Sequence, residues 1–363
     1  MNKGHKVKLN ELNNNFIMGE SVLDNEGHIM IQKGTSFEDV YIEYLQANHI
    51  DSIFVYDSLD DLRAFEESDK SKRIAEKIRV DDPETVKLSQ AVKERIGTGV
   101  QYLFDNTESD SFINATNSIS DELTKAITEH NAIAIDIAQL KVSDEYTFKH
   151  SVDVASLSMI IGKRYGLTDE EIREIGVAGL LHDIGKSKIP DAILNKPGKL
   201  DDDEFEQMKS HTVLGFRILE KSKHFSNAIR QGVLEHHEKM NGKGYPLGIE
   251  NEKIHKYARI MSVADVYDAL VTERSYKKGF PKKDAIEIIM TMTGDLEMKS
   301  MQSFLKSVIL YPVDSVVQLS NGKVARVVQN NPDYPLRPKV IDIKDGTVYD
   351  LGNDKNCFNI LIV

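Results

Sequence analysis

The sequence has only one cysteine, Cys357, among its 363 residues. A single cysteine excludes an internal disulfide and any cysteine-based zinc site, and it suits a reducing compartment. The chain also has no apolar run of membrane-spanning length, and its first segment, MNKGHKVKLNELNNN, has basic residues without the apolar stretch of a signal peptide. We therefore expect a soluble, cytoplasmic protein.

The sequence also has no excess of positive charge. The formal net charge is −12 at pH 7. An acidic chain lacks the broad electrostatic footprint that DNA or RNA requires, and it is not attracted to an anionic membrane. A small anionic ligand can still bind a local basic pocket, so the expected partner is a small molecule and not a nucleic acid polymer or a membrane.

The apolar pattern divides the first part of the chain into two regions. Residues 1–58 combine short β-type runs with one amphipathic segment, FEDVYIEYLQANH, and predict a small α+β accessory domain. Residues 59–109 are a charged linker followed by a connecting helix, in which apolar residues recur at near-helical spacing from Val86 to Val100. This stripe allows two interpretations: a homodimer seam, or an amphipathic helix that packs on its own domain.

The second part of the chain changes pattern twice. Residues 110–308 carry repeated i, i+3, i+4 apolar stripes and predict an all-helical core domain. Residues 309–363 switch to alternating β runs with the turns Asn321-Gly322 and Asp345-Gly346, and they predict a small β domain. The expected fold class is therefore mainly α, with a helical core flanked by a small α+β domain and a small C-terminal β domain.

The candidate functional residues of the helical core are polar residues that end an apolar helical stripe. In EIREIGVAGLLHDIGK, His182 and Asp183 end a stripe that otherwise packs inward. A buried carboxylate needs a partner, and a metal ion is one of the few that can compensate its charge. Lys186 follows one turn later, where its ammonium could reach anything bound by Asp183. Alone, the His-Asp pair would be an ordinary polar helix cap.

The same pattern recurs along the core. The residues that end or interrupt such stripes are five histidines and two aspartates: His150, His182, Asp183, His211, His236, His237 and Asp265. One such histidine is usually a hydrogen-bonded core residue, but seven of these groups in one domain favour a common role. Imidazole and carboxylate ligands without thiolates suit Fe, Mn or Zn, and seven ligands exceed the need of one ion. We therefore predict a two-metal site.

A two-metal site indicates phosphoester hydrolysis. Two ions about 3.5 to 4 Å apart, bridged by a carboxylate and a hydroxide, are a standard device for this reaction. The hydroxide attacks phosphorus while both cations neutralise the charge on the phosphoryl oxygens. Asp183, adjacent to one histidine and central to the set, is the best candidate for the bridging carboxylate.

At this point the motifs resemble a known family. HDIGK at 182–186, HH at 236–237 and GYP at 244–246, with IPDAILNKPGKL between them, are similar to the HD-GYP family of bacterial cyclic di-GMP phosphodiesterases. The resemblance covers roughly residues 140 to 290, and it is specific because several motifs recur in order with matched separations.

The resemblance also implies roles for individual residues. It implies the same seven metal ligands, and it makes Asp183 and Lys186 the catalytic residues, with Lys186 contacting the scissile phosphate or the bridging water. Tyr245 would line the substrate pocket, and Arg274 and Lys277 would bind phosphate, a role that suits a guanidinium. Without the surrounding motifs, Arg274 and Lys277 would be a solvated basic helix end.

Two positions depart from the family pattern. Members with a third metal have an acidic residue one turn before the first histidine, where this chain has Tyr146. Two metals are therefore expected, although Asp144 or Glu145 could contribute if the helix starts differently. Asn241 stands where the commonest loop has Asp; it loses a charge but keeps an Asx-type turn, so we expect little functional effect.

The implied reaction is hydrolysis of cyclic di-GMP to linear pGpG, with GMP as a second product. The implied cofactors are two divalent ions, with Fe or Mn preferred and Zn, Ni or Co as alternatives. Three other functions stay open: an HD-type phosphohydrolase of another cyclic dinucleotide, a slow or non-catalytic cyclic di-GMP receptor, and an interaction scaffold built on the terminal domains. A receptor would be marked by a missing metal ligand, and none is missing here.

Overall fold

The computed structural model describes most of the chain and separates it into two compact units. The described residues are 4–12, 16–23, 28–38, 40–48, 50–57, 67–83, 85–86, 88–128, 134–136, 146–272 and 279–363. The first unit comprises Met1–Arg79, Val316–Val328 and Val340–Val363, and the second comprises Val80–Ser315 and Gln329–Lys339. No helix within the described ranges is long and apolar enough to span a membrane.

Helices dominate the second unit, and strands dominate the first. The helices are α1 (Val40–Ala47), α2 (Asp69–Ile78), α3 (Gln90–Asp105), α4 (Phe112–Thr128), α5 (Tyr146–Tyr165), α6 (Asp169–Leu181), α7 (Asp191–Leu194), α8 (Asp202–Lys209), α9 (His211–Glu220), α10 (Asn227–Glu235), α11 (Lys256–Val271), α12 (Lys282–Thr291) and α13 (Met298–Ser307). The strands are β1 (His5–Lys8), β2 (Ile17–Met18), β3 (Val22–Leu23), β4 (Ile29–Ile31), β5 (Ser52–Tyr56), β6 (Thr85–Val86), β7 (Ala134–Asp136), β8 (Val308–Ile309), β9 (Val316–Gln318), β10 (Val324–Gln329), β11 (Lys339–Asp342) and β12 (Val348–Asp350).

The N-terminal part of the first unit is a small antiparallel sheet with one helix. Its strand order is β1-β5-β2, and Val7 of β1 lies opposite Ile53 of β5. Inward-facing residues of these strands share a core with Leu45 of α1. The α+β character predicted from the alternating runs is confirmed for this part of the unit, because one face of the sheet is buried and the helix covers it.

The C-terminal part of the first unit is a four-stranded sheet in the order β12-β11-β10-β9. Helix α2 packs on it, since Ala75 forms one buried cluster with Val328 and Ile341. Arg326 of β10 also pairs with Glu67, with its guanidinium nitrogen 2.7 Å from the carboxylate. The predicted β domain therefore includes a helix from the segment that the sequence assigns to a linker.

The second unit is a helical bundle around α5. This helix is buried on nearly every side from Ser151 to Ile161, and it packs against α3, α6, α11 and α13. Helix α6 begins with a capping box, in which the Thr168 hydroxyl accepts from the Glu171 N–H and the Glu171 carboxylate accepts from the Thr168 N–H. A side chain at Gly179 would place its Cβ 2.6 Å from the Ala155 Cα, so glycine is what lets α6 approach α5 closely.

Helix α3 belongs to this bundle. Its residues Ile96, Val100 and Leu103 are at most 1% exposed and share the core with α4 and α5. The apolar stripe is thus packed within the chain, which is the second of the two interpretations above. The four predicted domain regions stay predictions, and the described residues of the region 59–109 include two helices that pack on different partners.

A short parallel sheet, β6-β7-β8, also lies in the second unit. Its strands are two or three residues long and come from distant parts of the chain. The sequence does not predict this sheet, because so short a strand shows no alternating pattern.

Candidate metal centre

Helix ends carry most of the predicted metal ligands. His182 follows the last residue of α6, His211 is the first residue of α9, and His236 follows the last residue of α10. His150 and Asp265 lie inside α5 and α11. All of these elements pack together in the bundle, so residues far apart in sequence meet at one place.

Three of the histidines have a fixed tautomer. The Nδ1–H of His182 donates to the Gly179 carbonyl (2.7 Å), and that of His236 donates to the Val233 carbonyl (2.8 Å). His211 makes the same contact with the carbonyl three residues before it, at 2.7 Å. Because a carbonyl can only accept, Nδ1 carries the hydrogen and Nε2 presents its lone pair to the site.

The ligand atoms form two groups of three: His150 with His182 and Asp183, and His211 with His236 and His237. Within each group the atoms lie within 4.8 Å of one another. The structure thus brings these six predicted ligands into two groups, each of which could hold a metal ion. The seventh, Asp265, lies between the groups.

Two carboxylates span the two groups. Asp183 Oδ2 is 3.4 Å from His182 Nε2, while Asp183 Oδ1 is 3.4 Å from His211 Nε2. Asp265 Oδ1 is 3.2 Å from His150 Nε2, while Asp265 Oδ2 is 3.7 Å from His237 Nδ1. Each carboxylate therefore offers one oxygen to each group, and the bridging role predicted for Asp183 is open to Asp265 as well.

The contacts around Asp183 fit a bound cation. Its side chain is buried, and Oδ1 has no hydrogen-bond partner in the described part of the chain. Since the His211 tautomer puts a lone pair on Nε2, two lone pairs face each other across the 3.4 Å between that nitrogen and Asp183 Oδ1. The Nε2 atoms of His211 and His236 also face each other, at 3.5 Å. Such contacts are unfavourable unless a cation lies between them, and nitrogen and oxygen donors suit divalent first-row metals.

The charge state of the site favours cation binding. Burial by itself raises the pKa of Asp183, but the charge of Lys186 and the contact with His182 outweigh it and hold the pKa well below its ordinary value. The Lys186 Nζ lies 2.5 Å from Asp183 Oδ2. Burial lowers the pKa of His236 well below its ordinary value and that of His237 to about 3. The aspartate is therefore ionised and these imidazoles are neutral, which are the ligating forms.

His150 sits between two carboxylates. Its Nδ1 is 2.6 Å from Asp268 Oδ2, and its Nε2 faces Asp265. Burial lowers the pKa of His150, but the hydrogen bonds to Asp265 and Asp268 outweigh it and raise the pKa to about 10. The same geometry suits a neutral imidazole that donates from Nδ1 to Asp268 and binds a cation through Nε2.

The sequence analysis missed two buried polar residues, one of which contacts His150. Asp268 orients the imidazole ring, and Lys93 of α3 is buried with its Nζ 3.4 Å from Asp153 Oδ1. A signal for Asp268 exists, because it follows Asp265 by three residues and so shares its helix face. Lys93 gives no such signal, since a lysine beside an apolar stripe is normally solvated.

The loop after His237 covers one side of the centre. A Cβ at Gly244 would lie 2.4 Å from the Glu238 Cα, so only glycine allows this close approach. The Tyr245 N–H donates to the His237 carbonyl (3.2 Å), and the two rings lie 4.7 Å apart between centroids. Tyr245 is thereby held beside the second group of predicted ligands, and its role in a substrate pocket stays a prediction.

Buried Glu238 holds the far end of this loop. Its Oε1 accepts from the N–H groups of Leu247 (2.6 Å) and Gly248 (3.1 Å). Because Glu238 directly follows His237, one short segment carries both a predicted metal ligand and the carboxylate that fixes the loop.

Asn241 makes the predicted Asx-type turn and one further contact. Its Oδ1 accepts from the Lys243 N–H (3.0 Å), and its Nδ2 donates to Asp295 Oδ1 (2.7 Å). Lys239 Nζ lies 2.7 Å from the other oxygen of Asp295. An amide at position 241 therefore suits the neighbouring carboxylate, which explains physically why this chain can do without the commoner aspartate.

We predict that Asn241→Asp weakens this loop. The new carboxylate would face Asp295, so a hydrogen bond is replaced by repulsion at a cost of about 1 kcal/mol at low salt. Thermal unfolding at low and high ionic strength measures the effect, which should shrink as salt screens the charges. Asn241→Ala is the control, since it loses the bond without repulsion. Equal stability of Asn241→Asp and the unaltered protein at low salt would contradict the prediction.

Some predicted residues cannot be placed. Arg274, Lys277, Asp144 and Glu145 lie outside the described residues. Tyr146 begins α5, but its side chain is not among those described. The roles assigned to these residues stay predictions.

Comparison with known protein families locates two matches. Residues 127–298 match the HD domain, and residues 316–359 match a KOW domain associated with HD domain. The first match contains all of the predicted metal ligands, and the second coincides with the C-terminal sheet.

Several curated proteins are similar to the chain. A cyclic di-GMP phosphodiesterase of Pseudomonas aeruginosa is 40% identical over 61% of this chain and 53% of its own length. A cyclic di-GMP phosphodiesterase of Thermotoga maritima is 39% identical over 49% of this chain and 50% of its own length. A 3′3′-cGAMP-specific phosphodiesterase of Vibrio cholerae is 38% identical over 40% of this chain and 31% of its own length. The chain thus spans about half the length, or less, of these relatives.

Proposed function

We propose that the chain is a metal-dependent cyclic dinucleotide phosphodiesterase, because residues 127–298 match the HD domain and carry the HDIGK and GYP motifs. We propose cyclic di-GMP as the substrate and linear pGpG as the first product, with GMP from a second pass. The observation that carries the proposal is the pair of ligand groups spanned by Asp183 and Asp265. Support for the substrate comes from the similar proteins of Pseudomonas aeruginosa and Thermotoga maritima.

The proposed cofactors are two divalent ions, with Fe or Mn preferred. His150, His182 and Asp183 would hold one, and His211, His236 and His237 would hold the other, with Asp265 offering an oxygen to each. When bound, the ions would supply Lewis-acid charge for the phosphoryl oxygens and lower the pKa of the attacking water. In the net reaction, water forms a new bond to phosphorus, the P–O3′ bond breaks and the 3′-oxygen takes up a proton.

The chain's own residues position the substrate. Lys186 is partly exposed while its ammonium contacts Asp183, so it can reach one phosphoryl oxygen and stabilise the charge that develops there. Burial raises the pKa of the Tyr245 phenol well above its ordinary value, so this group stays protonated and can donate a hydrogen bond. Arg274 and Lys277 are proposed, from the motif alone, to bind phosphate.

A second substrate has a specific observation in its favour. One similar protein of Vibrio cholerae acts on 3′3′-cGAMP by its name. A cyclic dinucleotide that differs in one base presents the same phosphodiester to the metal centre, so the metal ligands do not distinguish the two substrates. The choice between them depends on the residues that contact the bases.

The proposal is tested on protein purified without oxygen. We expect roughly two metal ions per chain by elemental analysis, and conversion of cyclic di-GMP to pGpG in a chromatographic assay. Parallel assays with 3′3′-cGAMP and cyclic di-AMP rank the substrates. Metal-loaded protein that binds cyclic di-GMP without hydrolysing it would support a receptor and refute the enzyme. Fewer than one ion per chain would refute the two-metal centre.

A further inference from the structure

A single aromatic ring stands exposed on the helix before His211. Helix α8 buries none of its residues, and its Phe205 is 49% exposed. The helix is fixed at its start, because Asp201 and Glu204 form a capping box. An isolated exposed apolar residue is common on protein surfaces, so the ring alone does not indicate a binding site. Its neighbours have to supply that evidence.

The neighbours of Phe205 lead to the metal centre. Lys209 places its Nζ 5.3 Å from the centroid of the Phe205 ring and 5.7 Å from the centroid of the Tyr245 ring. Tyr245 in turn lies 4.7 Å from the His237 ring and 6.4 Å from the His211 ring, between centroids. The Tyr245 ring, the Lys209 ammonium and the Phe205 ring thus form a continuous row from the predicted ligands to the surface.

The ammonium of Lys209 stays available to a ligand. It contacts Glu206 one turn earlier on the same helix, and the Glu206 side chain is 69% exposed. An exposed ion pair of this kind contributes little free energy, so a ligand can compete for the ammonium. The Lys209 side chain itself is only 23% exposed, so its position is restricted.

A nucleobase is the ligand that matches these groups. Every base can stack on an aromatic side chain, and loss of one such stack weakens binding by about tenfold or more. A lysine ammonium beside the stack donates to O6 and N7 of guanine, whereas adenine presents an amino group in place of O6. A base attached to the scissile phosphodiester lies one sugar away from phosphorus, so a row that begins at the ligands and leads outward can receive it.

We infer that Phe205 and Lys209 form a guanine subsite beside the metal centre, in which the base stacks on Phe205 and accepts hydrogen bonds from Lys209. The inference rests on the proposed function and deepens it, because it names the residues that select the base. Phe205 supplies affinity for any base, and Lys209 supplies the preference for guanine.

Substitutions at two positions, Phe205 and Lys209, test the subsite. Phe205→Ala should raise the KM for cyclic di-GMP about tenfold or more, since one stack is lost, while Phe205→Tyr restores it. Lys209→Met keeps the apolar stem and should raise the KM for cyclic di-GMP more than that for cyclic di-AMP. Met290→Ala removes another exposed apolar side chain, 43% exposed on α12, and should leave both KM values unchanged.

Binding of GMP separates this inference from the proposed function. Calorimetric titration of metal-loaded protein with GMP should show weaker binding to Phe205→Ala and Lys209→Met than to Met290→Ala, whether or not cyclic di-GMP is hydrolysed. If the protein binds GMP in this way but hydrolyses no cyclic dinucleotide, the proposed function fails and the subsite stands. If Phe205→Ala has the same KM for cyclic di-GMP and the same affinity for GMP as Met290→Ala, the subsite is refuted.

Discussion

Asp183→Asn should abolish both the full metal content and the hydrolysis of cyclic di-GMP. Asparagine has nearly the same shape as aspartate, so the side chain still fits its buried position. It has no charge, however, and only one of its two terminal atoms can bind a cation. Because Asp183 offers one oxygen to each ligand group, one group would lose its oxygen ligand and the other would keep only a neutral amide oxygen. We expect kcat to fall by roughly 10³-fold or more, which corresponds to the several kcal/mol that metal ions supply to the transition state.

Elemental analysis and turnover, measured on the same preparation, check this prediction. Asp284→Asn is the matched control, because Asp284 lies exposed in the first turn of α12. It should keep both metal content and activity. Circular dichroism establishes that Asp183→Asn is folded. A folded Asp183→Asn protein that keeps two ions and hydrolyses cyclic di-GMP within tenfold of the unaltered rate would rule out the bridging role.

The cluster of buried histidines and aspartates was predictable from the sequence for a physical reason. His150 and Asp265 lie in helices whose other inward positions are apolar, and a polar group at such a position must find a partner. Periodicity alone therefore identifies the residues that point inward. It does not identify what each of them contacts, which is why Asp268 was missed although it orients His150.

The partners of the helices were harder to predict than the helices themselves. The apolar faces of α2 and α3 follow from spacing, yet α2 packs on the C-terminal sheet and α3 packs in the helical bundle. An amphipathic stripe shows that a helix buries one face but gives no information on the element that covers it. The buried pair of Lys93 and Asp153 illustrates the same point, because it exists only once α3 and α5 are in contact.

The close approach of two backbone segments is also hard to predict, because its only trace in the sequence is a glycine. Gly185 is the second residue of the 3-10 turn Ile184–Lys188, which directly follows Asp183. A Cβ built on Gly185 would lie 1.9 Å from the His211 carbonyl oxygen and 2.5 Å from the Gly215 nitrogen. Both are backbone atoms of α9, so neither can move without displacing that helix. The distance between Asp183 and His211, which belong to different ligand groups, depends on this contact.

Gly185→Ala should therefore damage stability and metal binding together. Overpacking of a tight core costs about 1–3 kcal/mol, and the cost here should lie at or above the upper end because the clash is with backbone. The displacement of α9 moves His211 away from Asp183, so we expect the affinity for metal to fall by about 10- to 100-fold in the folded protein. Denaturant unfolding and competitive metal titration measure the two effects. Gly97→Ala is the control, since the nearest atom to its added Cβ is 4.0 Å away on a lysine side chain and alanine favours a helix. If Gly185→Ala matches Gly97→Ala in both measurements, then the close approach of the turn to α9 does not set the geometry of the metal centre.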